Sequence, residues 1–240
     1  MFFSESSNMT CSLLNSTKNM KILNAYAGIG GNRKLWGDKH DITAIEINEN
    51  IAKIYSDFFP NDKIIITDAH EYILNHFKEY DFIWSSVPCQ SHSGTNNFLK
   101  GQGIYRYPDM KLYEEIIFLK HFYDGKWIIE NVKPYYNPLI EPQYIGRHAI
   151  WSNFYIKPIK VKHDIGTMNR MASKESQRRA IIREAQIPEL IDLHGLKDFN
   201  LQNKRQVLRN CVLPTTGLHI LECAISAISK QFKQDPLFAS

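Results

Sequence analysis

Cysteine is scarce in this chain. Cys11, Cys89, Cys211 and Cys223 are its only four in 240 residues, and no two form a C-x-x-C pair. This excludes a disulfide framework, and the chain reads as intracellular with reduced thiols. The nine histidines show no zinc-like spacing with these cysteines, so no metal site is expected. No apolar run reaches membrane-spanning length. The first residues lack a basic segment followed by a long apolar one, so no signal peptide is expected. In that compartment the triplets Asn8-Met9-Thr10 and Asn15-Ser16-Thr17 are chance matches to glycosylation acceptors. There is no internal repeat. Charge of one sign is also in short supply: the net charge is only +4. It is unevenly spread, because residues 157–209 hold twelve Lys and Arg against six Asp and Glu. Such a local surplus suits a surface that meets phosphates, and equally a solvated helix face.

What is present is enough apolar material for a sizeable core. Hydrophobic residues make up 43% of the chain, with thirteen Phe and twelve Tyr, which fits one domain or one domain with a small appendage. Residues 1–19 are rich in Ser and Asn without periodicity and read as a disordered tail. From Met20 onward short apolar runs recur at 21–26, 42–47, 63–67, 81–86 and 126–131, each with the length of a buried strand. Helical patterns at 48–59, 69–77 and 109–123 lie between them. Strands alternating with helices imply an α/β fold with a mostly parallel, doubly wound sheet, and a ligand edge at the C-terminal ends of the strands. Further on, 149–156 reads as a strand, 174–186 as a basic helix and 216–232 as a long closing helix.

The chemistry-bearing residues cluster at that one edge. "AYAGIGGN" (25–32) follows the first strand; its glycines allow close backbone approach to a ligand and a tight turn into a helix, as in nucleotide-binding enzymes, or simply a tight turn. Glu46 ends the second strand, where a carboxylate can hold two ribose hydroxyls. Asp68 follows the third, placed either to accept from an adenine amine or to cap the helix that starts at Ala69. Cys89 follows the fourth in "VPCQSHSG". A lone cysteine there is commonly a small buried hydrophobe, but in a polar loop at the productive edge its thiolate can be a nucleophile. The Ser-, Gly- and Asn-rich stretch from Ser91 to Tyr107 can close over a substrate. Glu130 ends the fifth strand in "WIIENV", where burial raises a carboxyl pKa and makes it a proton donor near neutrality; a cap or a surface ion pair is the plainer alternative.

Taken in order, "AYAGIGG", "IEIN", "TDAHEY", "PCQS", "ENV" and "KRQVLRNCV" resemble the motifs of DNA cytosine-5 methyltransferases, over about Lys21 to Glu222. "YPDMKLYEEI" and "IGRHAIWSNF" look like the small phage- and virus-type members. The resemblance implies a class I, Rossmann-like fold binding S-adenosylmethionine, with a catalytic cofactor-binding domain over 20–156, a small basic target-recognition region over 157–205, a segment over 206–232 that returns to the catalytic domain, and a tail at 233–240. It implies cofactor contacts from Tyr26, Ala27, Gly28, Ile29, Gly30, Gly31, Glu46, Ile47, Asp68, Ala69, Pro88 and Asn210. Cys89 would attack carbon 6 of a flipped cytosine, Glu130 would contact ring nitrogen 3 and the exocyclic amine, and Arg147 would brace the base and Glu130. Gln90 and Ser91, and the basic residues Arg170, Lys174, Arg178, Arg179 and Arg183, would face double-stranded DNA. A monomer in the cytoplasm or a host-cell interior, with no membrane contact, is expected, and a cognate restriction endonuclease is a partner such enzymes often have.

Departures are few. Tyr26 stands where Phe is commoner and Asn24 where an acid is often seen. The Gln206–Asn210 segment has one extra residue, with Arg209 in place of a glycine. A transfer RNA cytosine methyltransferase, a non-catalytic nucleic-acid-binding homologue and a NAD-dependent dehydrogenase are the competing readings. The last leaves Cys89 and Glu130 without a task.

Overall fold

A computed structural model describes residues 19–160, 190–201 and 203–234. The tails at 1–18 and 235–240, the basic helix expected at 174–186, and Arg170, Lys174, Arg178, Arg179 and Arg183 lie outside the described residues.

Seven strands form one sheet. In chain order they are β1 (Lys21–Ala25), β2 (Asp41–Ile45), β3 (Lys63–Ile65), β4 (Phe82–Ser86), β5 (Lys126–Val132), β6 (Gln143–Ile145) and β7 (His148–Ser152), and in space they run β3-β2-β1-β4-β5-β7-β6. β1 to β5 are parallel, while β7 runs antiparallel between β5 and β6. Among the described residues the α-helices with both ends defined are α1 (Glu49–Phe58), α2 (Ala69–His76), α3 (Asn96–Gly101), α4 (Lys111–Phe122), α5 (Lys204–Asn210) and α6 (Pro214–Gln234), and residues 190–194 are helical as well. α1 starts where the Asn48 side chain accepts from the Asn50 and Ile51 amides, and α2 where Asp68 accepts from the Glu71 amide. The five parallel strands fall where the apolar runs place them. β6, α3 and α5 are additions, each too short to show a period. The expected strand at 149–156 ends at Ser152, where the Ser152 hydroxyl donates to the Phe154 carbonyl and turns the chain.

Period-two alternation divides the core. Ile22, Phe82, Trp84, Ile128 and Ile150 face Trp36 and the α6 residues Ile220, Leu221 and Ala224. Leu23, Ile83, Ile129 and Trp151 face Ile73 of α2 and Leu112, Ile116 and Leu119 of α4. Fully burying each such side chain contributes roughly 1.5–3 kcal/mol. Contrary to the expectation from uninterrupted runs, Gln206–Ile228 is long and apolar enough on average to cross a membrane. Polar residues such as Arg209, Asn210 and His219 interrupt it, non-helical Cys211–Leu213 breaks it, and Leu208, Val212, Ile220, Leu221 and Ala224 are buried.

One buried ion pair braces the region behind the glycine turn. Arg33 Nε and Nη2 donate to the two Asp62 oxygens, each at 2.9 Å, with both side chains 3% exposed. Tyr55 also donates to Asp62. Asp62→Ala leaves the guanidinium without its buried partner and is expected to cost about 3–5 kcal/mol. Thermal denaturation should register this as a fall in Tm on the order of 10 °C.

Candidate active site

The turn after β1 is shaped by backbone geometry. Tyr26 (φ 54°), Gly28 (φ 54°) and Gly30 (φ 73°) lie in the left-handed region. For Tyr26 this is strained, at a cost on the order of 1–3 kcal/mol. A Cβ on Gly30 would collide with the Phe59 and Tyr55 rings, whereas one on Gly28 would meet no atom within 4 Å. Gly30 is thus required by packing, and Gly28 borders open space. The chain does not then enter a helix, as the glycine pattern leads one to expect. It makes successive four-residue turns, with the Gly30 amide donating to Ala27, Arg33 to Gly30 and Trp36 to Arg33, and the buried Arg33–Asp62 pair and Trp36 seat it on the core. Among the described residues no helix lies between β1 and β2.

The two carboxylates of the edge are in place beside it. Glu46 accepts from the Gly28 amide at 3.0 Å and the Asn48 amide at 2.9 Å, which joins the glycine turn to the end of β2. Asp68 accepts from the Glu71 amide with one oxygen at 3.0 Å, so the capping role is real and still leaves its second oxygen to a ligand. Ile47 is 67% and Ile66 53% exposed on the same rim. Open space at Gly28, two half-buried carboxylates and an apolar flank fit a charged, hydroxylated nucleoside such as S-adenosylmethionine. Not every residue of the expected set points there. Ile29 is buried among Ile54, Leu190, Leu196 and Leu208, and Gly31 packs against Cys211 and Val212. Ala27 and Ala69 are buried, while Pro88 is exposed next to Cys89.

Cys89 lies in the loop after β4, partly exposed. Asn131, buried at the end of β5, donates to the Val87 carbonyl at 3.0 Å and so holds this loop against β5. The Cys89 thiol makes a long S–H···O contact of 3.9 Å to the Asn210 side chain, which brings the end of α5 over the loop. Burial pushes the thiol pKa up, as does the nearby Glu130 charge, and Arg147 opposes both. At rest Cys89 is therefore a thiol. Cys211 is raised further, to about 12, by burial of its sulfur, and is inert by comparison.

Glu130 is 6% exposed and pairs across β4 with Ser86, three residues before Cys89. Its Oε1 shares a 2.6 Å hydrogen bond with His148 Nδ1. The hydrogen bond to Glu130 thus comes from His148, the chain neighbour of Arg147. Antiparallel register sets Ile150 opposite Glu130, so His148, two residues away, shares that face. Arg147 sits on the turn before β7 and donates to the Cys211 carbonyl at 3.1 Å. His148 was signalled only by its place next to Arg147, and no local pattern distinguishes the two.

The segment after Cys89 is built rather than featureless. Asn96 donates to the Gln90 carbonyl, the Asp109 amide to the Ser91 hydroxyl and Tyr135 to the Arg106 carbonyl. Buried His92 bonds Tyr136 at 2.7 Å. Gln90 is exposed and Ser91 partly so. Among the described residues no group of three or more His, Cys, Asp or Glu could hold a metal.

Comparison with known proteins adds three findings. The model of C-5 cytosine-specific DNA methylases matches residues 20–138. Among curated proteins none matches. Among solved structures, the methyltransferase EhMeth of Entamoeba histolytica superposes with a TM-score of 0.52 at 14% identity, covering 88% of this chain and 99% of that one. A TehB-like SAM-dependent methyltransferase from Corynebacterium glutamicum has a TM-score of 0.35 at 16% identity, covering 54% and 64%.

Proposed function

Because residues 20–138 belong to the C-5 cytosine-specific DNA methylase family, and the chain has the class I, Rossmann-like methyltransferase fold, we propose that it methylates carbon 5 of cytosine in double-stranded DNA. S-adenosylmethionine is the methyl donor and supplies an electrophilic methyl group. The glycine turn at Gly28, Glu46, Ile47 and Asp68 hold that donor. The observation that carries the reading is the meeting of Cys89, the buried Glu130–His148 pair and Asn210 at one sheet edge.

The chemistry follows from cytosine itself, whose carbon 6 is electron-poor and whose carbon 5 is a weak nucleophile. The Cys89 thiol loses its proton to water and the resulting thiolate adds to carbon 6. Glu130 contacts ring nitrogen 3 and the exocyclic amine; in its protonated form it donates to nitrogen 3, which takes up the negative charge as carbon 6 is attacked. The resulting enamine makes carbon 5 nucleophilic enough to be methylated. Loss of the carbon 5 proton to a base, such as water, then expels Cys89. His148 holds the Glu130 carboxyl in position. Arg147, fixed on Cys211, lowers the cost of the thiolate, since its charge opposes the effects that raise the thiol pKa. The target must leave the stack to reach these groups, and the segment Ser91–Tyr107 covers it.

Transfer of tritiated methyl from S-adenosylmethionine to a long mixed-sequence duplex, followed by hydrolysis to bases, is expected to yield 5-methylcytosine. Label in transfer RNA but not in the duplex would move the substrate to RNA. Binding of the donor with no label in either would favour the non-catalytic reading. Residues 157–205 are the target-recognition region of this proposal. Replacing Arg178 and Arg179 with Ala is expected to weaken duplex binding and to reduce the slope of log affinity against log salt by about 1 for each lost phosphate contact. An unchanged slope would remove them from the interface.

A further inference from the structure

Glu115 is a charged residue on α4 with no exposed surface. Its carboxylate is met by three donors from three separate segments. Tyr26 Oη lies 2.7 Å and His70 Nδ1 3.1 Å from Oε1, and Ser85 Oγ lies 2.7 Å from Oε2. Tyr26 opens the glycine turn in its left-handed conformation. Ser85, paired in the sheet with Ala25, stands four residues before Cys89. His70 is two residues beyond Asp68 at the start of α2. One buried carboxylate therefore joins the three segments that line the donor site and lead to the nucleophile.

The protonation states agree with this. Burial first, and then Glu115 itself, push the Tyr26 phenol far up, so Tyr26 remains neutral and donates. The bond to Glu115 raises His70, which favours imidazolium beside the carboxylate. A buried carboxyl group is tolerated only when its oxygens are hydrogen-bonded, and here both are. The strained Tyr26 backbone likewise persists only while its ring is anchored, and its hydroxyl is tied to Glu115.

We propose that Glu115 is a positioning residue: through the Tyr26 hydroxyl it holds the glycine turn in the conformation that receives S-adenosylmethionine. This rests on the donor site of the proposed function but on neither its nucleic acid nor its covalent chemistry. The test is therefore calorimetric titration of the full chain with S-adenosylmethionine in the absence of DNA, alongside thermal denaturation of the unliganded protein. Glu115→Gln is expected to raise the dissociation constant roughly tenfold, and Tyr26→Phe several-fold, as befits loss of a hydrogen bond to a charged group. The double variant should bind no worse than Glu115→Gln alone, because both changes cut the same link. Independent, additive effects of the two would overturn the assignment, as would a lowered Tm with unchanged affinity in Glu115→Gln. If Glu115→Gln does not fold, Tyr26→Phe decides alone: wild-type affinity in that variant would refute the proposal. Failure of methyl transfer to DNA with these affinities as expected would count against the substrate and leave Glu115 in its role.

Discussion

A Cys89→Ser enzyme is expected to fold and to bind S-adenosylmethionine normally, yet to lose methyl transfer by more than about a thousandfold. Serine is close in size to cysteine and keeps a polar hydrogen-bonding group at the position. It replaces a polarizable thiol with a hydroxyl that ionises far less readily, and addition to carbon 6 then lacks its nucleophile. Duplex DNA containing 5-fluorocytosine provides the direct reading, because fluorine cannot leave carbon 5 as a proton does. The native chain is expected to form a denaturation-resistant adduct in the presence of the methyl donor, and Cys89→Ser none. An adduct that survives the substitution would place the nucleophile elsewhere. The raised thiol pKa carries a second consequence. With the neutral thiol favoured at rest, alkylation by iodoacetamide of the Cys89-dependent site should rise steeply with pH and continue rising past about 8.5, the ordinary cysteine value. A plateau below pH 8 would mean that Arg147 outweighs burial and Glu130, opposite to the direction the surroundings set.

The second large effect is expected at Glu130. Glu130→Gln keeps the shape but removes the ionisable carboxyl group, and kcat is expected to fall by about 10²–10³, with little change in affinity for the methyl donor, whose proposed site lies at other strand ends. His148 gives a graded companion. His148→Ala leaves a buried carboxylate oxygen without its 2.6 Å partner, and the loss of a hydrogen bond to a charged group corresponds to roughly ten- to a hundredfold in rate. His148→Arg restores a donor and is expected to recover part of that loss. If His148→Ala left kcat unchanged while Arg147→Ala abolished it, the brace on Glu130 would be Arg147 after all.

Much of this molecule can be read from its residues in order. Four of the five apolar runs become parallel strands buried along nearly their whole length, as a strand covered on both faces requires, and the shorter run at β3 forms the half-buried edge strand. The residues at their ends then share an edge by topology alone, which is why Glu46, Asp68, Cys89 and Glu130 could be selected without coordinates. Cys89 and Glu130 stood out further through the motifs around them, "PCQS" and "ENV".

Other features have no local signature. Glu115 sits in a helix as any exposed glutamate would, and only the packing of α4 on the sheet removes it from water and delivers three donors to it. Arg33 has no pattern around it that announces burial; its pairing with Asp62, 29 residues away, exists only in the folded chain, where turns stand in place of the expected helix. The choice between Arg147 and His148 depends on the register of an antiparallel pair, where a shift of one residue exchanges the faces. Sequence by itself determined the order of the parallel strands along the chain and the edge their end residues share, because these follow from hydrophobic period and parallel topology, and the motif around Cys89 marked it as the candidate nucleophile. Tertiary structure alone decided which polar side chains are buried together, because the cost of removing a charge from water depends on partners that are distant in sequence and near only in the folded chain.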